Sequence, residues 1–241
     1  MQTNSGPSPI QRSSLHRAEV RAVLERLHSD ARYDKLRFLT KVPAVLGGLM
    51  RGRSINEIVS GGLMSDVYIP VSREQGWLLY LVARTLGARR IVEFGTSFGI
   101  STIYLAAAVK DNGGGLVIGS ELEPTKHRVA TANLAEAGLG AFADVRLGDA
   151  LETLRDVLEP VDMVLLDGWK DLYLPVLGIL APKLRRGAVV MADNIHLFRK
   201  TLAPYVEHMQ SGKNGFHSVT LSIADGFEYS YYEGSEEASA G

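Results

Sequence analysis

The spacing of apolar positions changes in a regular way along this chain. Val20, Val23, Leu24 and Leu27 fall at i, i+3, i+4 and i+7, so an amphipathic helix is expected from about Leu15 to Leu27. A second helix is expected from about Ala31 into the forties, where Pro43 and the Gly47-Gly48 pair interrupt the pattern. Residues 53–72 hold another glycine pair and Pro70 and read as a loop, either a cover for a cleft or a packed connector. From Arg73 onward, helical stretches alternate with short apolar runs. Helices are expected over 73–87, 97–109, 124–138, 150–158, 171–184 and 204–210. Strands are expected over 89–94, 116–121, 143–147, 161–166 and 187–192, with a final pair at 217–223 and 227–232 around Ala224-Asp225-Gly226. Alternation of this kind predicts an α/β fold whose parallel sheet is wound on both faces, with an antiparallel pair appended at the C-terminal end. The expected organisation is a disordered arm over 1–14, a helical extension over 15–72, one main domain over 73–232 and an acidic tail over 233–241.

Composition narrows the class of protein. A chain of 241 residues with 46% hydrophobic content can bury a full core. The formal net charge of −1 offers no global basic field for nucleic acid or an anionic membrane. Residues 1–60 hold ten Lys/Arg against five Asp/Glu, read as a solvated helix surface. Without cysteine there is no disulfide framework, no thiolate zinc site and no thiol nucleophile. The polar N-terminus has no apolar core of a signal peptide, and no run approaches the roughly 18–20 apolar residues that span a bilayer. A cytoplasmic protein with no membrane partner is expected.

The candidate chemistry lies between Met163 and Asn194. Two apolar runs, MVLL and GAVVMA, end in Asp167 and in Asp193-Asn194. Ligands of open parallel sheets bind outside the carboxyl ends of the strands, so these oxygen donors share one rim, with Lys170 beside them. The alternative reading makes Asp167 a helix cap and Asp193-Asn194 a turn. Lys170 fits that alternative poorly, because a cation in the first turn of a helix opposes the helix dipole.

A second cluster surrounds IVEFGTSFGIST. Glu93, Gly95 and Gly99 lie between a strand and a helix, where glycines admit close backbone approach and the helix start offers free N–H groups. The dinucleotide pattern G-x-G-x-x-G is missing, which argues against NAD. Glu121 ends the next strand, where a carboxylate can accept from both hydroxyls of a ribose. Asp149 ends the third strand and is placed either to reach a purine amino group or to cap a helix.

The order E-x-G-x-x-x-G, an acidic strand end, LLDGWKDLYLP and ADN resembles the class I S-adenosylmethionine-dependent O-methyltransferases, and among them the metal-dependent catechol O-methyltransferase group. The likeness covers about residues 69 to 232. It implies a Rossmann-like, doubly wound, mostly parallel seven-stranded sheet and S-adenosylmethionine as methyl donor. It further implies Glu93, Gly95 and Ser101 near the amino acid end of the donor, Glu121 on its ribose and Trp169 against its adenine. Val71, Ser97, Gly99, Gly148, Asp149 and Asp167 complete the implied cofactor contacts. Asp167, Asp193 and Asn194 fall on the family's metal ligands and Lys170 on its general base.

Methyl transfer to oxygen needs an oxygen nucleophile, and a phenol with a pKa of about 10 supplies little phenolate at neutral pH. A divalent cation and a nearby base answer that need. Two carboxylates and an amide carbonyl suit Mg²⁺ rather than Zn²⁺. A small phenolic acceptor is the expected partner. Two residues depart from the vertebrate catechol enzymes: Gly168 replaces a histidine wall, and Val219 falls where a glutamate binds the second hydroxyl. His196 lies near the rim, within reach of a substrate. The extension over 15–72 would close over the acceptor or form a homodimer contact. Competing readings are a methyltransferase acting on a modified tRNA base and a non-catalytic adenosine-binding module.

Overall fold

The computed structural model describes residues 13–30 and 71–234. Expectations placed on 1–12, 31–70 and 235–241 lie outside the described residues. These include the second helix, the 53–72 loop up to Pro70 and most of the arm and tail.

A helix α1 covers 18–30. The main domain then runs α2 (Arg73–Thr85), β1 (Arg90–Phe94), α3 (Ile100–Asp111), β2 (Leu116–Glu121), α4 (Pro124–Glu136), β3 (Ala143–Leu147) and α5 (Ala150–Thr153). It continues with β4 (Val161–Leu166), α6 (Tyr173–Leu180), β5 (Leu184–Ala192), α7 (Arg199–Gln210), β6 (Phe216–Leu221) and β7 (Phe227–Tyr232). The seven strands lie in the order β3-β2-β1-β4-β5-β7-β6. The first five are mutually parallel, and β7 is antiparallel to both β5 and β6.

Continuous apolar strands follow from a sheet covered on both sides. Ile91, Met163, Leu165, Val189 and Met191 point into one core with α1, α2 and α3. Val92, Val164, Leu166, Val190 and Ala192 alternate into a second core with α6 and α7. The first part of the expected extension belongs to the first core: Val20, Val23, Leu24 and Leu27 are all buried there. Ser14, expected in the polar arm, is buried and donates from N and Oγ to the Asp111 carboxylate at 2.8 and 2.5 Å.

Three expected boundaries move. The helix expected over 150–158 is only Ala150–Thr153, and Leu154 and Val157 beyond it are buried in the second core. The helix expected over 171–184 splits into a 3₁₀ turn at Lys170–Leu172, α6 and a second 3₁₀ turn at Ala181–Lys183 that holds Pro182. The last helix begins at Arg199, upstream of Pro204 rather than at it. Pro204 interrupts little there, since the carbonyl it cannot serve is that of Lys200 in the exposed first turn.

Candidate active site

The sheet register brings the rim residues level. Phe94 pairs with Leu166, and Leu166 with Ala192, so the next residue of each strand emerges at one height. The stitching continues one step further: Asp167 N donates to Phe94 O at 2.8 Å and Asp193 N to Leu166 O at 3.0 Å. Asp167 and Asp193 therefore leave adjacent strands side by side, held by backbone rather than by their own side chains.

Their electrostatics follow from that placement. Asp193 is 2% exposed. Burial first, and then the charge of Asp167, push its carboxyl up to about 8. Asp167 is raised as well, chiefly by burial, with Lys170 pulling the other way. Lys170 Nζ lies 3.4 Å from Asp167 Oδ1 and donates to Tyr173 Oη at 2.7 Å. That ammonium also faces the ring of Phe198, 5.7 Å from its centroid. Tyr173 Oη donates in turn to Asp193 O at 3.2 Å. Asn194 is buried in a left-handed turn at φ 65°. Asp193 Oδ1 accepts from Asn194 N at 2.7 Å and from Gln75 Nε2 at 2.8 Å.

Two crowded carboxylates, one amide side chain and no His or Cys form an oxygen-donor set suited to a hard divalent cation. Their mutual repulsion is what such a cation would relieve. Among the described residues no group of three or more His, Cys, Asp or Glu is placed to hold a metal ion, and Asn194, the third expected donor, follows Asp193 directly in the chain.

The second cluster lies across the same rim. Gly95 and Thr96 N both donate to Ser120 O at 3.1 Å, folding the loop over the end of β2. Gly95 has φ 95°, and a Cβ there would lie 2.6 Å from Gly168 N, so the two loops touch backbone to backbone. Ser97 is also left-handed, and its N–H donates to Glu121 Oε2 at 2.7 Å. Glu121 Oε1 accepts from Glu123 N at 2.9 Å. Gly99, at φ 88°, caps α3. Glu93 is fully buried, and burial raises its carboxyl to about 7 against hydrogen bonds from Ser101, Thr102 and Thr96. Its Oε2 accepts from Thr96 and Thr102, whereas Oε1 is buried without a partner. Trp169 is 49% exposed at the start of the 3₁₀ turn, a free aromatic face beside the rim.

Two residues expected at the cofactor have local partners. Val71 packs into the first core, where its side chain is buried. Asp149 caps α5, accepting from Leu151 N at 2.9 Å, which is the capping alternative. Gly148, at φ 138°, donates from N to Glu121 O and anchors the end of β2. His196 lies against Gly226, whose Cβ position is 2.6 Å from the imidazole. Phe94 fills the space beside Gly168: a Cβ at 168 would lie 2.4 Å from its ring. Two site residues escaped the sequence reading. Tyr173 carried no signal beyond its place in the DLYLP run. Gln75 did carry one, as the fourth residue of S-R-E-Q, a capping-box pattern opening α2.

Comparison with known proteins agrees with this geometry. A methyltransferase-domain family model matches residues 92–195, from the glycine loop to Ile195. A catechol O-methyltransferase of Mycobacterium tuberculosis is 38% identical over 128 residues, 53% of this chain and 57% of that protein. Over the matched residues the chain is similar to catechol O-methyltransferases. A second catechol O-methyltransferase, from Niastella koreensis, is 33% identical over 144 residues, 58% of this chain and 63% of its own length. The chain thus spans somewhat less than two thirds of these relatives. Among solved structures, an O-methyltransferase of Streptomyces achromogenes involved in tomaymycin synthesis, in complex with S-adenosylmethionine, superposes with a TM-score of 0.63. It is 29% identical, over 69% of this chain and 82% of its own. The catechol O-methyltransferase-like sequence thus sits on a class I methyltransferase sheet, with its antiparallel C-terminal strand pair. No helix among the described residues is long and apolar enough to cross a membrane.

Proposed function

We propose that this protein is an S-adenosylmethionine-dependent O-methyltransferase acting on a small catechol-type or other phenolic hydroxyl, with a divalent cation held by Asp167, Asp193 and Asn194 and with Lys170 as general base. The observation that carries the reading is the convergence of Lys170, Asp167 and Asp193 on one rim, beside a glycine loop whose buried Glu93 has an orphaned oxygen.

The donor supplies an electrophilic methyl on a sulfonium, and a hard cation makes the attacking hydroxyl more acidic. The remaining work belongs to the chain. Glu121 offers the carboxylate for a ribose diol, pre-oriented by Ser97 and Glu123 N–H groups. The exposed Trp169 offers a stacking face for an adenine. Lys170, in its uncharged form, takes the hydroxyl proton at Nζ as the oxygen–carbon bond forms and the carbon–sulfur bond breaks. Fixing these partners in line contributes to rate by itself, about 7–11 kcal/mol in the best intramolecular cases. Gly168 and the space held by Phe94 shape the acceptor wall, which favours a flat aromatic acceptor without a histidine contact.

The test is a screen of phenolic acceptors with labelled methyl donor, with and without Mg²⁺, and with bulk tRNA in parallel. Label on a catechol-type acceptor only when Mg²⁺ is present supports the reading. Label on tRNA alone, or transfer unaffected by chelator, overturns it.

A further inference from the structure

Gln75 joins the start of α2 to the end of β5. Its backbone N accepts no role in the site: it donates to Ser72 Oγ at 3.2 Å, while its side-chain Oε1 accepts from Ser72 N at 2.8 Å, closing the capping box of α2. Its Nε2 reaches 118 residues along the chain to Asp193 Oδ1 at 2.8 Å. The side chain is 3% exposed, so this amide has no competing water shell.

The consequence falls on Asp193. Oδ1 already accepts from Asn194 N at 2.7 Å, and Gln75 fills its second acceptor position. Two donors on one oxygen restrict rotation of the carboxylate and leave Oδ2 as the oxygen that takes no hydrogen bond from a described donor. A side chain that cannot rotate presents the same oxygen every time. Outer contacts of this kind orient metal ligands and are commonly worth about 10–100-fold in metal affinity.

We propose that Gln75 is a positioning residue that holds Asp193 in a one-oxygen binding pose for the divalent cation; this rests on the metal reading above. Its side-chain amide is rigid because the same group caps α2. The amide's Oε1 is held by the backbone N of Ser72 and so does not depend on the Ser72 hydroxyl, and Nε2 ties the start of α2 to Asp193.

The test titrates the full-length protein with Mn²⁺ alone, followed by loss of the free-ion electron paramagnetic resonance signal. Gln75→Met removes the donor to Asp193 and should weaken Mn²⁺ binding by about 10–100-fold. Gln75→Ala, which keeps a good helix former at the position, serves as a second variant with the same expectation should the first not fold. Ser72→Ala breaks the cap but leaves the Gln75 amide facing Asp193, and should bind Mn²⁺ as the parent does. Parent-like affinity in both Gln75 variants overturns the proposal while leaving the metal reading intact. Equal weakening in the Ser72 and Gln75 variants also overturns it, because loss of the cap would then explain the effect. A parent that binds no Mn²⁺ overturns the metal reading and this inference with it.

Discussion

Glu228 on β7 lies opposite Ala192 on β5, one residue from Asp193. Both Glu228 and Asp193 are buried, yet their surroundings differ. Glu228 accepts from Ser218 Oγ at 2.5 Å, Thr220 Oγ1 at 2.5 Å and Gln210 Nε2 at 2.8 Å, a closed set of neutral donors. Asp193 faces another carboxylate, and only one of its oxygens is held by described donors. A buried charge surrounded by hydrogen-bond donors ties strands together, and its environment asks for nothing further. A buried charge set against its own kind is costly, and it persists where a ligand relieves it. The contrast separates architecture from site within a few ångströms of the same sheet edge.

The largest expected effect bears on the Asp193 side alone. Under the proposed function, chelation of divalent cations should abolish turnover of the best phenolic acceptor, and added Mg²⁺ should restore it. Initial rates in buffered chelator measure this, and undiminished rates would put Asp193 in the same class as Glu228. Next in size is Lys170→Met, which keeps the apolar stem and removes proton acceptance. Loss of a general base costs roughly 10²–10⁴-fold in rate. Affinity for S-adenosylhomocysteine should hardly change if Lys170 serves the acceptor, as the proposed function has it. Calorimetry beside single-turnover rates would read both.

Glu121→Ala probes the donor half of the rim. Loss of charge-assisted hydrogen bonds should weaken S-adenosylhomocysteine binding by about 1.5–3 kcal/mol. Unchanged calorimetric affinity would remove Glu121 from the site. Glu228→Gln should do the opposite in kind: it replaces one acceptor by a donor and costs about 1–3 kcal/mol of stability by denaturant unfolding, with donor affinity untouched.

The smallest expected effect is a drift with pH. Asp193 moves from an ordinary 3.8 to about 8 on folding. A folded value above the unfolded one means its contribution to stability is full below 3.8 and is lost as pH rises through 8. Metal-free protein should therefore melt lower at about pH 9 than at about pH 6, and Asp193→Asn should flatten that difference. Added Mg²⁺ should raise the alkaline melting temperature of the parent and leave the variant unmoved. Glu228, with its closed donor set, should show no such metal response when replaced.

The sheet was legible in the sequence because burial on both faces makes each parallel strand a continuous apolar run. Asp167, Asp193 and Asn194 were legible as rim residues because a strand end is fixed by the run before it. Helix lengths were less so: nothing in ALETLRDVL says that Leu154 and Val157 leave the helix to meet α6. Asp149 had two readings, and the cap is the one visible in the fold, because a cap needs only the next two residues, whereas a purine contact needs a ligand. Gln75 and Tyr173 were hidden for a different reason. Their partners are Asp193 and its carbonyl, 118 and 20 residues away, and no periodicity links such pairs.

The contact between Gly168 and Phe94 constrains how this enzyme-like chain can change over time. A Cβ at 168 would lie 2.4 Å from the Phe94 ring, so a side chain there requires that ring to move. Shrinking Phe94 first removes the collision, but that ring also stacks edge-on against Tyr173 at 6.3 Å, and Tyr173 holds Lys170. The intermediate genotype therefore loosens Lys170 before it gains anything at the acceptor wall. A change at 168 is thereby linked through the Phe94 and Tyr173 rings to the group that Lys170 hydrogen-bonds.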